Sequence, residues 1–103
     1  MYRKRFGCGI GHGVRIICNG SPIELKVEDI QKENRRAVLE IKTSEDIKRI
    51  ILDYNHGFEL DGHGLRISLW NRYGRGRKVD AHFDYPNQDY QFSFIPRVGS
   101  PVG

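Results

Sequence analysis

The chain predicts a mainly β fold: a small antiparallel sheet or barrel-like domain with one short helix near residues 45–54. Three observations carry this expectation. First, several runs alternate apolar and polar residues with the period of a half-buried strand. Leu65, Ile67 and Leu69 alternate with Arg66, Ser68 and Trp70, and Val79, Ala81, Phe83 and Tyr85 alternate with Asp80, His82 and Asp84. Second, glycine is frequent, at 12 of 103 residues, which suits turns and short strands better than a helical bundle. Third, only one stretch has clear helical spacing. Thr43-Ser44-Glu45-Asp46 precedes Ile47, Ile50, Ile51 and Tyr54, with acids in the first turn, and Asn55-His56-Gly57 supplies a stop. A strand at Ile50–Leu52 is the competing reading of that stretch.

In chain order, residues 1–13 read as a basic, glycine-rich N-terminal arm. Arg3-Lys4-Arg5 is followed by Gly7-Cys8-Gly9-Ile10-Gly11-His12-Gly13. Alternate glycines allow a mobile or tightly turning backbone. Their spacing matches neither a dinucleotide fingerprint nor a P-loop. Val14–Cys18 is a strand, and Asn19-Gly20 a hairpin turn. Ile23, Leu25 and Val27 alternate with Glu24, Lys26 and Glu28 as a strand would. Ser21-Pro22-Ile23-Glu24 is also a helix start, so residues 21–31 admit both readings, with the strand favoured. Ala37–Ile41 is the next strand, after the polar turn Gln31–Arg36. Beyond the helix, Phe58–Leu60 leads through Asp61-Gly62-His63-Gly64 into the hairpin Leu65–Tyr85. Pro86-Asn87-Gln88-Asp89 is a turn, and Tyr90, Phe92 and Phe94 give a last strand with an aromatic face. The expected organisation is therefore the arm, one β-rich domain over 14–95, and a flexible Pro/Gly/Ser tail over 96–103.

A shift of 42 residues aligns the two halves without a gap. Ile16 meets Phe58. Ile23, Leu25 and Val27 meet Leu65, Ile67 and Leu69. Ala37, Leu39 and Ile41 meet Val79, Ala81 and Phe83, while Gly20 meets Gly62 and Arg35 meets Arg77. Repeats over 14–52 and 56–95 are the expectation drawn from this match.

The stretch Val14–Ile41, VRIICNGSPIELKVEDIQKENRRAVLEI, resembles the core pattern of the carbon storage regulator family of small RNA-binding proteins. Lys78–Pro86, KVDAHFDYP, is similar to that pattern's ending. The resemblance implies a five-stranded, strand-exchanged β dimer, here in tandem, that binds GGA-containing RNA and controls ribosome access. The family's RNA-contacting arginine would fall at Ile51 and at Ser93, and its first-strand Thr-Arg pair has no counterpart. No functional residue therefore carries over.

Net charge is +4, with the surplus in Arg3-Lys4-Arg5 and in the 72–78 loop. Clustered basic charge is the footprint of a polyanionic partner. Arg72, Arg75, Arg77 and Lys78 lie in that loop without an acid, and Gly74 and Gly76 let a phosphate backbone approach closely. Trp70 and Tyr73 stand beside these cations, where an unpaired base could stack. Arg35 and Arg36 end the corresponding loop of the first half. The expected function is thus regulatory binding of RNA or single-stranded nucleic acid. The candidate contacts are Arg72, Arg75, Arg77, Lys78, Trp70, Tyr73, Arg35, Arg36, Arg3, Lys4 and Arg5. The competing reading is a small protein-interaction or inhibitor module, phage-related in character, that grips an acidic protein or a phosphate-containing small ligand.

Catalysis is not expected. His82 between Asp80 and Asp84 could act as a general base, but a solvated polar strand face explains the same pattern, and no nucleophile motif occurs. No metal and no cofactor is expected: Cys8, His12 and Cys18 lack ligand-pair spacing, and both cysteines are expected as free thiols. No apolar run approaches a membrane span and no secretory signal opens the chain. A cytoplasmic homodimer without a membrane partner is the expectation.

Overall fold

The computed structural model describes residues 1–18, 20–60, 62–71 and 78–96. It is almost entirely β. The strands are β1 (Tyr2–Gly9), β2 (Gly13–Cys18), β3 (Ser21–Gln31), β4 (Arg36–Lys42), β5 (Ile47–Asp53), β6 (Gly57–Leu60), β7 (Leu65–Asn71), β8 (Lys78–Tyr85) and β9 (Gln91–Ile95). The helical content among the described residues is a 3₁₀ turn at Lys32–Asn34. The strands form two antiparallel sheets. The four-stranded sheet runs β1-β8-β7-β6 and the five-stranded sheet β5-β4-β3-β2-β9.

The predicted alternation decides which face each strand buries. Ile23, Leu25 and Val27 on β3, Ala37, Leu39 and Ile41 on β4, and Leu65, Ile67, Leu69, Val79, Ala81 and Phe83 on β7 and β8 are all buried in one continuous core. Aromatic rings tie the sheets together. Phe92 of β9 lies 5.5 Å from Phe83 and 4.9 Å from Tyr85 of β8, and 6.2 Å from Phe6 of β1, centroid to centroid. Such pairs add to simple area burial.

The helix expected near residues 45–54 is instead β5, paired with β4 from Arg36↔Asp53 to Lys42↔Ile47. The misleading signals have physical sources. Thr43 Oγ1 accepts the backbone N–H groups of Glu45 and Asp46 (3.3 and 3.2 Å), as a helix cap would. Here that contact closes the β4–β5 turn, and Thr43 N–H donates to Asp46 O (2.9 Å). The isoleucines of β5 occupy both strand faces. Leu52 is buried and Ile50 half-buried, whereas Ile47 and Ile51 are exposed. Apolar residues on both faces imitate a helical period.

The expected N-terminal arm is also corrected in part. Tyr2–Gly9 is an edge strand, registered on β8 from Tyr2↔Tyr85 to Gly9↔Lys78. Cys8 is buried and Phe6 packs on the core. The glycines hide this alternation, and one of them is needed for packing. A Cβ at Gly13 would sit 2.5 Å from the Leu25 carbonyl oxygen, so only glycine lets β2 start so close to β3. Cys8 and Cys18 are both buried thiols, and they are not joined in a disulfide. The expected tail, apart from Pro96, lies outside the described residues.

The 42-residue shift carries β3 onto β7 and β4 onto β8. The pairing Leu25↔Ile41 becomes Ile67↔Phe83 in the same register, which holds as far as Val27↔Leu39; a bulge at Glu28 then shifts β3 on β4, whereas β7 and β8 pair without one. It also carries β2 toward β6 and β5 toward β9, but here the halves part. The β2–β3 hairpin pairs Ile16 with Ile23, whereas β6 pairs Phe58 with Ile67, two residues further along. Strand β5 stays beside β4, while β9 crosses to the other sheet and lies against β2; β1 fills the place beside β8.

Candidate nucleic-acid interface

The outer face of the four-stranded sheet gathers several of the predicted contacts. Strand parity is the reason: residues two apart share a face. On β1 that face carries Arg3 and Arg5; on β8, Lys78, Asp80, His82 and Asp84; on β7, Arg66, Ser68 and Trp70; on β6, Gly57 and Glu59. Register orders them into rows across the sheet. The first row reads Arg3, Asp84, Arg66, Glu59. The second reads Arg5, His82, Ser68, Gly57. The third places Asp80 beside Trp70.

The first row is internally neutralised. Arg3 grips the largely buried Asp84 in a two-pronged ion pair, Nε to Oδ1 at 2.6 Å and Nη2 to Oδ2 at 3.2 Å. That hydrogen bond from Arg3 holds the Asp84 carboxyl below the usual carboxylate range, against the opposing effect of burial. Arg66 extends toward Glu59 (Nη1 to Oε1, 3.9 Å) and lies across β6. A Cβ at Gly57 would be 2.3 Å from Arg66 Nε, so Gly57 makes room for the side chain. Arg3, Asp84, Arg66 and Glu59 line a cavity of about 590 Å³ together with Leu60 and Leu65.

The second row differs. His82 stacks on Trp70, with ring centroids 5.6 Å apart and planes inclined by 28°. Trp70 Nε1–H donates to Ser68 Oγ (3.3 Å), which ties the indole to its own strand. The residue remains 39% exposed. His82 Nδ1 is buried without a hydrogen-bond partner. Burial, then the nearby Arg3, lowers the His82 pKa, so the ring favours its neutral form. Among the described residues Arg5 has no ion-pair partner.

The other predicted contacts are distributed as follows. Lys78 is exposed, on this face, at the foot of the β7–β8 loop. Lys4 is exposed but has the opposite parity, paired with Phe83. Arg35 adopts a left-handed conformation (φ 53°) at the β3–β4 turn. Its carbonyl accepts Tyr54 N–H (2.8 Å), and the next residue, Asn55, donates to Leu69 O (2.8 Å), which draws this turn toward the Trp70 end of β7. Arg36 is occupied with Gln31 (Nε to Oε1, 2.7 Å). Arg72, Tyr73, Arg75 and Arg77 lie outside the described residues. Arg66 was missed as a neighbour of Trp70, although its even position on the same strand is a sufficient signal. Among the described residues no group of three His, Cys, Asp or Glu side chains suits a metal ion. No helix among them is long and apolar enough to cross a membrane. Compared with known proteins, the chain matches no family model, no curated protein and no solved structure.

Proposed function

We propose that the chain is a regulatory protein that binds RNA or single-stranded nucleic acid, using the outer face of the four-stranded sheet and the β7–β8 loop. One observation carries this reading: the exposed Trp70, stacked on neutral His82, shares the outer sheet face with Arg5 and Lys78, and the sequence that bears Arg72, Arg75 and Arg77 follows directly after its strand. A base can continue the Trp70–His82 stack, and the flanking cations can meet its phosphates. Unpaired bases suit a flat sheet face with an aromatic platform, whereas a duplex hides its bases' faces. The pattern resemblance to the carbon storage regulator family points to the same ligand class. Here the contacts would be this chain's own, since the family's contact positions hold Ile51 and Ser93.

The test is fluorescence anisotropy with a mixed-sequence single-stranded RNA pool. The fourfold variant Arg72→Glu, Arg75→Glu, Arg77→Glu, Lys78→Glu should lose binding and flatten its salt dependence. Retention equal to that of the parent protein overturns the proposal. The ratio of absorbance at 260 and 280 nm before and after a high-salt wash reports whether nucleic acid co-purifies.

A further inference from the structure

We propose that a second copy of this chain adds to the outer edge of β5, which ends its sheet among the described residues, antiparallel, about a two-fold axis at Ile51. A sheet edge presents unpaired N–H and C=O groups, and natural proteins protect such edges with charge, brevity or cover. Three of the edges here are protected or short. Strand β1 carries Arg3, Lys4 and Arg5, β6 has four residues and β9 five. Strand β5 has seven residues, and its charges are of both signs (Lys48 and Arg49 against Asp53), so they complement rather than repel a second copy; it exposes Ile47 (61%) and Ile51 (60%).

The backbone at that edge has a defined polarity. The β4–β5 register continues beyond the strands as hydrogen bonds from Tyr54 N–H to Arg35 O and from Thr43 N–H to Asp46 O. In an antiparallel ladder the hydrogen-bonded pairs alternate. Residues 48, 50 and 52 therefore turn their amides toward β4, and Arg49, Ile51 and Asp53 turn theirs to solvent. A second β5 centred on Ile51 pairs these outward groups: Ile51 with Ile51, Arg49 with Asp53, and Asp53 with Arg49.

Side chains fit the same register. Within one chain Arg49 sits opposite Glu40, and Asp53 opposite Arg36. Across the axis the row becomes Glu40, Arg49, the second copy's Asp53, the second copy's Arg36, with charge alternating at each step. Between the two such rows, Val38 and Ile51 meet the second copy's Ile51 and Val38. On the core side Ile50 faces the second copy's Leu52. Neighbouring registers fail. Centring on Arg49 opposes like charges, and centring on Ile50 sets Arg49 against Ile51 and Asp53 against Ile47. Opposite-charge and β-branched cross-strand pairs stabilise a ladder, and like charges do the reverse.

This dimer is independent of any nucleic-acid ligand, and so is its test. Sedimentation equilibrium should give twice the 11.9 kDa chain mass at high protein concentration. Ile51→Pro removes only an outward N–H, a change an edge strand tolerates, and should return the mass to that of the monomer; Ile51→Lys should do the same. The paired Cα atoms at the axis would lie about 5.5 Å apart, within disulfide range. Ile51→Cys should therefore cross-link under mild oxidation, whereas the equally exposed Ile47→Cys should not. The native Cys8 and Cys18 are buried and do not interfere. A monomer at every concentration, a dimer that survives Ile51→Pro, or equal cross-linking at 47 and 51 overturns the proposal.

Discussion

The two halves of the chain each build a central antiparallel pair, β3–β4 and β7–β8, and dress it differently. On the first half's outer face Glu28 lies beside Glu40 and forms an ion pair with Arg49 (2.7 Å), and these two neighbours hold the Glu28 carboxyl below its usual range. The 42-residue shift carries Glu28 to Trp70 and Glu40 to His82. The partner of His82 on the next strand is Arg5, as Arg49 is the partner of Glu40. An acid–acid–arginine cluster in one sheet is thus an indole–imidazole–arginine cluster in the other. The first neutralises its arginine. The second leaves Arg5 beside an aromatic platform. Related strand pairs, one bulged at Glu28 and one regular at Trp70, therefore give one face whose arginine is paired with acids and one suited to an anionic, stackable ligand.

Shared framework means shared stability. Phe83→Ala and its counterpart Ile41→Ala both empty a buried site. Each should cost about 2–5 kcal/mol in urea unfolding, and both should lower the stability of the whole domain because one core serves both sheets. A half that unfolds alone, seen as a biphasic transition, would break the comparison. Function should divide the halves. Arg5→Glu should weaken single-stranded RNA binding about tenfold or more, from a lost phosphate contact and an added repulsion, whereas Arg49→Glu should leave it unchanged. Equal losses would mean that net charge, and not the face, controls binding.

A third difference is pH response. Burial disfavours charged His82, so its folded pKa is below that of the unfolded chain. The unfolded state then takes up the proton first as pH falls through about 6.5. Stability is full above that pH and declines as pH drops toward the folded pKa. His82→Phe should remove this decline between about pH 7 and 5, measured by denaturant midpoints. Asp84 has the opposite chemistry but the same sign. Its lowered pKa gives stability above the unfolded carboxylate range that is lost on further acidification. Asp84→Asn should flatten only that more acidic limb. The smallest effect belongs to the β4–β5 turn. Thr43→Val removes the hydroxyl that accepts Glu45 and Asp46 N–H, at a cost of about 1 kcal/mol.

Most of the fold was legible because alternation is a local property. Strands β3, β4, β7 and β8 form for the reason their patterns suggest, and the 42-residue shift carries the buried Ile23, Leu25, Val27, Ala37, Leu39 and Ile41 onto the buried Leu65, Ile67, Leu69, Val79, Ala81 and Phe83. Two elements were not legible. In β1 the glycines remove the side chains that would complete the pattern. In β5 a turn-closing Thr43 and isoleucines on both faces copy a helix. The crossing of β9 to β2 could not be read at all, because a strand's choice of neighbour depends on packing far away in the chain. Of the candidate site, Trp70, Arg5, Arg3 and Lys78 fall on one face by parity, but Arg36 is engaged elsewhere with Gln31. The unpartnered Nδ1 of His82 follows only from burial.

The exchange of β1 and β9 between the halves has a consequence for biosynthesis. Strand β1 pairs with β8, so its edge has no partner until Tyr85 has been made. At a synthesis rate of about 5–20 residues per second the nascent β1 waits several seconds, basic and unpaired. Strand β2 likewise lacks its second neighbour until Ile95 appears. Pairings this distant in sequence also slow folding itself. Neither half can close its sheet on the ribosome by itself, so the order of translation stores an incomplete domain until the last strand arrives.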